Sequence, residues 1–339
     1  MVSYLRRIDK TFHGGNLKDL TMTNKYTQFR SSSVIVSKSE GGRKIHFEKD
    51  YILIMSTIKI SDLKSFSMIF DQIKESNFSY NIDASSFPFF EPKHILMLVE
   101  YFVLQNFNNI DGELHVNPEI EWYIDAIGFE RFCNTNFLHP SEQGRTIRNA
   151  IPIRRIDTTT MNNYIDGALK FFNRFCIGKD TDILGICISE IINNVHDHSQ
   201  SKHDAYIFSQ HYAKTNMIRF AISDLGVGIP TTVNNYLENS GMSALPNLEA
   251  LKWATEKGKT IKSSNRNMGM GLDNIITSLR EIGTLEIFTE DTYCVLGDDG
   301  ILRFSLNPIR NFIGTLIAID ININKLDIFD ETILDGFTF

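Results

Sequence analysis

An α/β unit followed by an α+β sandwich, with helices on one face of a mixed, mostly antiparallel sheet, is the fold class this sequence predicts. Three observations predict it. The chain has 339 residues, more than a single core usually spans. Between Tyr51 and Ile127 short β-type runs alternate with helical runs that carry one apolar side. After Met161 two helical segments come first and strands dominate afterwards.

Residues 1–50 form an N-terminal extension, polar apart from a β-like run at Ser33–Ser37 and a turn at Gly41–Gly42. In the unit 51–140, strands are expected at Tyr51–Ser56, Phe78–Asp83 and Glu113–Asn117. Helices are expected at Ser61–Ser76, Lys93–Gln105 and Glu119–Ile127, the last closed by Gly128. Leu63, Phe66, Ile69, Phe70 and Ile73 share one side of the first helix, and the second is strongly apolar. Residues 141–160, with Pro152 and the run Thr158–Thr160, have a weak hydrophobic pattern and read as a linker.

The unit 161–324 opens with helices at Met161–Phe175 and Asp182–His198. Strands follow at Ala205–Gln210, Met217–Asp224, Thr284–Thr289, Ile301–Leu306 and Ile313–Ile323, with helices at Leu248–Lys257 and Leu272–Ile282. Each unit is expected to build its own core. Residues 325–339 form an acidic tail.

Composition narrows the function classes. Hydrophobic residues make up 42% and charged residues 22%, as in ordinary globular domains. The cysteines Cys133, Cys176, Cys187 and Cys294 form no CxxC pair, so reduced core thiols and a cytoplasmic location are expected. The N-terminal residues have charge but no apolar stretch of the signal-peptide kind. No apolar run approaches the roughly 18–20 residues of a membrane span. A net charge of −7 gives no electrostatic footprint for nucleic acid.

Three motifs carry chemistry. On the helix Asp182–His198, Ile183, Leu184, Cys187, Ile188, Ile191, Ile192 and Val195 make a broad apolar face, while Glu190, Asn193, Asn194 and Asp197 fall on the other side. Glu190 and Asn194 are one turn apart and therefore neighbours. A carboxylate beside an amide oxygen suits Mg²⁺, which keeps several waters and takes few protein ligands. The second motif is Asp224-Leu225-Gly226-Val227-Gly228-Ile229, a strand ending in an acid and a glycine-rich turn. The glycines admit close approach of a ligand, and the carboxylate can accept from an exocyclic amine. The third is Asn267-Met268-Gly269-Met270-Gly271-Leu272 at a helix start, where unpaired N–H groups favour phosphate. His196 and His198, two apart on a helix, point to different sides and do not suggest a metal site.

The order and spacing of these motifs resemble the GHKL superfamily of ATP-binding domains, which includes gyrase, heat-shock ATPases, histidine kinases and anti-sigma-factor serine kinases. Gly314-Thr315, at the start of the last long strand, adds a fourth element. The resemblance covers about Met161–Asn324 and implies a Bergerat-type sandwich that binds ATP and Mg²⁺. Under it Asn194 holds Mg²⁺, with Asp197 near, and Glu190 is the catalytic residue that activates the attacking oxygen. Asp224 reads the adenine amine beside Thr315. Gly226, Gly228 and Ile229 shape the adenine side. Asn267, Met268, Gly269, Met270, Gly271 and Leu272 surround the phosphates. Thr231–Arg266 forms a mobile lid whose Lys257, Lys259, Lys262 and Arg266 reach phosphate oxygens.

In the first unit, Asn81-Ile82-Asp83-Ala84-Ser85-Ser86-Phe87, the helix after it, the strand Leu114–Asn117 and the helix ending Ile127-Gly128-Phe129 resemble a STAS domain, the α/β module of anti-anti-sigma factors. Where those regulators carry a phosphorylatable hydroxyl this chain has Glu91-Pro92-Lys93. The unit therefore reads as a fused interaction domain rather than a phosphoacceptor. Together the resemblances imply an ATPase or ATP-gated switch with a protein partner at the STAS-like unit or the lid. The alternatives are a serine/threonine kinase of the anti-sigma type or a catalytically silent nucleotide-binding module of a larger assembly. A histidine kinase fits poorly, because His139 is followed by Pro140 and no long helical hairpin precedes the second unit. The oligomeric state, homodimer included, stays open.

Overall fold

The computed structural model describes residues 36–39, 42–45, 56–75, 80–107, 112–132, 147–157, 159–198, 205–256 and 271–329. Strands β1 (Val36–Ser39) and β2 (Gly42–Ile45) form an antiparallel hairpin. The first unit then follows in βα order: β3 (Ser56–Lys59), helix α1 (Ser67–Glu75) after a single turn of 3₁₀ helix, β4 (Tyr80–Asp83), α2 (Pro92–Phe107), β5 (Leu114–His115) and α3 (Pro118–Ala126). Its three strands pair in parallel in the order β3-β4-β5. Of the expected strand Tyr51–Ser56, Ser56 opens β3 and the other residues lie outside the described ones.

Strand β6 (Ala150–Ile156) comes next, inside the stretch 141–160 that reads as a linker. Its sequence AIPIRRI alternates poorly and contains Pro152. The strand lies at the edge of a sheet, where a proline is tolerated, and it shifts register between Ile151 and Arg154. Edge position and bulge explain why the local pattern is weak.

The second unit continues with α4 (Met161–Phe172), α5 (Asp182–His198), β7 (Ala205–Tyr212), β8 (Met217–Asp224), α6 (Ile229–Asn239), α7 (Asn247–Thr255), α8 (Leu272–Leu279), β9 (Gly283–Thr289), β10 (Thr292–Leu296), β11 (Leu302–Leu306) and β12 (Thr315–Asn322). Seven described strands form one sheet in the order β11-β10-β9-β12-β8-β7-β6. Every pairing in it is antiparallel, where a mixed sheet was expected. The fold is thus mixed α/β, a large antiparallel sheet joined to a small parallel one. Of the helices, the described part of the expected lid contains α6 and α7, which pack on each other through Val233, Leu237, Ala250 and the Tyr236–Trp253 ring pair.

Helices cover both faces of the large sheet, not one. Residues alternate between faces along a strand. Ile218, Phe220 and Ile222 of β8 join α4, α5 and α8 in one buried cluster. Ala221 of β8, Phe208 of β7, Phe288 of β9, and Leu316 and Ala318 of β12 join the first unit in another. The element that covers this second face is α2. Its residues Ile95, Leu96, Met97, Leu98, Val99, Tyr101, Phe102 and Val103 are all buried, which is what an apolar surface on every side of a helix requires. The two units therefore share a core, which corrects the expectation of two separate ones.

Polar contacts fasten the same interface. Lys93 pairs with Glu91 at 3.0 Å and with Glu286 of β9, while Arg219 of β8 pairs with Glu91 and, at 3.1 Å, with Asp320 of β12. Tyr123 of α3 donates to Gln210 Oε1 at 2.7 Å. Asp71 of α1 holds Arg310 Nη2 at 3.0 Å and Asn311 Nδ2 at 2.7 Å, in the loop that leads to β12.

Candidate functional site

The acid of the glycine-rich motif stands at the end of a central strand. Asp224 closes β8, is 2% exposed, and accepts the backbone N–H of Gly226 at its Oδ1, 2.7 Å away. Burial pushes its carboxyl up to about 7, against the smaller downward pull of the Gly226 N–H. In register beside it are Thr315 of β12 and Thr289 of β9. All three alternate onto the face covered by α5, because Ile222, Ile317 and Ile287 two residues away lie in that cluster. The Thr289 and Thr315 hydroxyls are 3.2 Å apart and both residues are buried.

The loop after Asp224 is pinned from below. Thr289 Oγ1 accepts from Ile229 N–H at 3.0 Å and donates to the Gly314 carbonyl at 3.2 Å. Glu290, a non-glycine residue with φ of +49°, accepts from Thr231 N–H at 2.9 Å at the first turn of α6. A carboxylate is well placed at a helix N-terminus. Gly228 has φ of +87°, and a Cβ there would come within 2.6 Å of Glu290 Oε1. Gly314 has φ of +78° and meets the Asp224 carbonyl. Thr289 and Glu290 were not singled out from the sequence. Their only signal there is a polar run, Thr289-Glu290-Asp291, ending the strand-like stretch Leu285–Phe288.

Glu190 and Asn194 lie on α5, whose buried side is Leu184, Cys187, Ile188, Ile191 and Ile192. Both are half-buried, as a face between core and solvent dictates. Burial raises the Glu190 carboxyl above its ordinary value. Burial, with Glu190 close by, pushes the Cys187 thiol up to about 12, so this thiol is inert. Helix α5 packs on α8 and on β8, which brings the Glu190 helix, the Asp224 strand and the start of α8 to one side of the sheet.

The site residues expected from sequence fall into three sets. Asp224, Gly226, Gly228, Ile229 and Thr315 are brought together around the end of β8, although the Ile229 N–H is used internally by Thr289. Gly271 caps α8 without a side-chain partner, whereas the Leu272 side chain is buried in the core, so only its backbone faces a ligand role. Lys262, Arg266, Asn267, Met268, Gly269 and Met270 lie outside the described residues, as does the Asp197 side chain.

The residues present fit an adenine-type ligand. A nearly fully buried carboxylate beside two threonines, with no ion pair to it among the described residues, is set to accept from a donor-bearing ring edge. Glu190 and Asn194 offer a carboxylate and an amide oxygen of the kind Mg²⁺ takes together with waters. No family model matches the chain, and no curated protein matches it significantly.

Proposed function

We propose that this protein is a Mg²⁺-dependent, ATP-binding switch of the GHKL type, with hydrolysis or phosphoryl transfer at the γ-phosphate. The observation that carries the reading is Asp224, a desolvated acid at a strand end, tied to Gly226 N–H and flanked by Thr315 and Thr289. The order of Glu190, Asn194, Asp224, Gly226, Gly228, Gly269 and Gly271 along the chain supports it. The first unit, STAS-like in sequence, acts as the regulatory domain and contacts a protein partner.

In this reading Asp224 accepts from the adenine amine, and Gly226 and Gly228 keep side chains out of its way. Asn194 holds Mg²⁺, which supplies charge neutralisation at the phosphates when bound. Glu190 orients the attacking oxygen and takes its proton, a role that its raised proton affinity suits. Water and a substrate serine make the same demand on Glu190. Incubation with γ-labelled ATP separates the outcomes. Labelled free phosphate identifies an ATPase, and label on an added protein identifies a kinase. Neither, with binding intact, identifies a silent module. Absence of any nucleotide affinity overturns the reading.

A further inference from the structure

A run of contacts leads from the first unit to the α6–α7 pair. It begins on α1. Ser67 Oγ donates to the Pro308 carbonyl at 3.3 Å and accepts the Arg310 N–H at 3.0 Å. One helical turn on, Asp71 accepts from Arg310 Nη2 at 3.0 Å and from Asn311 Nδ2 at 2.7 Å. Between these grips Phe70 packs on Phe312 with ring centroids 4.9 Å apart, and Ile309 is buried in the same cluster. The loop 307–314, which joins β11 to β12, is thus seated on α1 by backbone and side chains alike.

The loop passes this hold to the turn between β9 and β10. Asn307, itself buried, donates its backbone N–H to the Asp291 carbonyl at 2.9 Å and its Nδ2 to the Glu290 carbonyl at 3.0 Å. Its Oδ1 accepts the Ile309 N–H at 2.9 Å. One side chain therefore joins the turn to the buried part of the loop.

The turn in turn bears both helices. Thr289 Oγ1 and Glu290 Oε1 accept the Ile229 and Thr231 N–H groups at the start of α6, at 3.0 and 2.9 Å. Asp291 Oδ1 accepts Nδ2 of Asn247, the first residue of α7, at 2.8 Å. Two residues along this run, Asn311 and Glu290, hold left-handed backbone without being glycine, with φ of +54° and +49°. Such backbone persists where its surroundings hold it. Asp71 holds the Asn311 side chain, and Thr231 and Asn307 hold Glu290.

We infer that Ser67 and Asp71 are positioning residues through which the first unit sets the seat of α6 and α7, by way of the loop 307–314 and the turn at Thr289, Glu290 and Asp291. The same turn braces the loop after Asp224, so a partner that shifts α1 shifts the rim of the candidate site. The consequence for nucleotide rests on the ATP reading; the mechanical link does not.

The test is amide hydrogen exchange, read by NMR on the full chain with no nucleotide added. The reporter is the Thr231 N–H, and the reference is the Ala221 N–H inside β8. Asp71→Ala should speed exchange at Thr231 relative to Ala221 about five-fold or more, the scale of one hydrogen bond lost from a local opening. Asn307→Ala should do the same. The double variant should exceed the larger single effect by less than about two-fold, because both changes cut one route. Tyr123→Phe removes a different hydrogen bond between the units, to Gln210, and should leave the ratio as in wild type. If Asp71→Ala does not fold, Ser67→Ala carries the test with the same expected direction. An unchanged ratio in the α1 variant, an equal rise in Tyr123→Phe, or effects that add in full in the double variant overturn the proposal. Because no nucleotide is present, a failure of the ATP reading leaves this outcome readable. Where Mg-ADP does bind, an affinity identical in Asp71→Ala and wild type overturns the link to the site.

Discussion

Gly314 stands so close to Asp224 that a Cβ built on it would overlap the Asp224 carbonyl, and its φ is +78°. The contact sets the spacing of β12 and β8 where Thr315 and Asp224 pair. Alanine at this position must meet both the left-handed backbone and the carbonyl. We expect Gly314→Ala to destabilise the protein by more than about 2 kcal/mol. Urea denaturation that shows an unchanged midpoint would sink this account of the strand ends.

Asp224→Asn separates stability from binding. The Asp224 carboxyl is raised to about 7 from an ordinary value of 3.8. Between those values the unfolded chain is ionised and the folded chain holds the proton, so stability falls as pH rises through that window and stays lower above it. The shift corresponds to on the order of 4 kcal/mol at most. Asparagine keeps the acceptor for Gly226 and removes the charge. The variant should melt higher than wild type above pH 7, by a margin that shrinks towards pH 4, while losing adenine-nucleotide affinity in calorimetry. A variant that binds as tightly as wild type would remove Asp224 from the site.

Glu190→Gln should leave nucleotide affinity nearly unchanged and lower turnover about 10²–10⁴-fold, the usual share of a general base. It keeps size and hydrogen bonding on α5 and removes the basic carboxylate. Equal turnover in a phosphate-release assay would return Glu190 to the role of a surface residue.

Asn194→Ala removes the amide oxygen one turn beyond Glu190. Nucleotide binding should then need a higher Mg²⁺ concentration, read by titrating the metal at fixed ATP. Overlapping titrations for variant and wild type would show that the polar side of α5 does not face the metal.

The shared core makes the second unit dependent on the first. A segment starting at Met161 lacks β6 and exposes Phe208, Ala221, Leu225, Phe288, Leu316 and Ala318, all buried in the intact chain. A contiguous apolar face of this kind drives association. We expect the segment to aggregate in light scattering and the full chain to stay dispersed. A monomeric, cooperatively melting segment would show that α2 is dispensable to the sheet.

Local signals made much of the chain legible in advance. The expected helix Asp182–His198 and the strand Met217–Asp224 match the observed α5 and β8 at both ends. Their periodicity and their bounding residues act within a few positions of one another. Missed were β2, β6, β10 and α6. Strand β10 is five residues long, between β9 and β11, and α6 opens with Ile229-Pro230 directly after the glycine turn, where sequence reads as loop.

The sequence by itself determined the helix with Glu190 and Asn194, the strand ending in Asp224 and the glycine turn after it, because spacing along the chain fixes which side chains share a face. Only the tertiary structure decided that Thr289 and Glu290 brace that turn and that α2 closes the far side of the sheet. These relations join residues 60 and 128 positions apart in the chain. They depend on strand order and on which helix the sheet buries, and those follow from packing the whole apolar surface rather than from any short stretch of sequence.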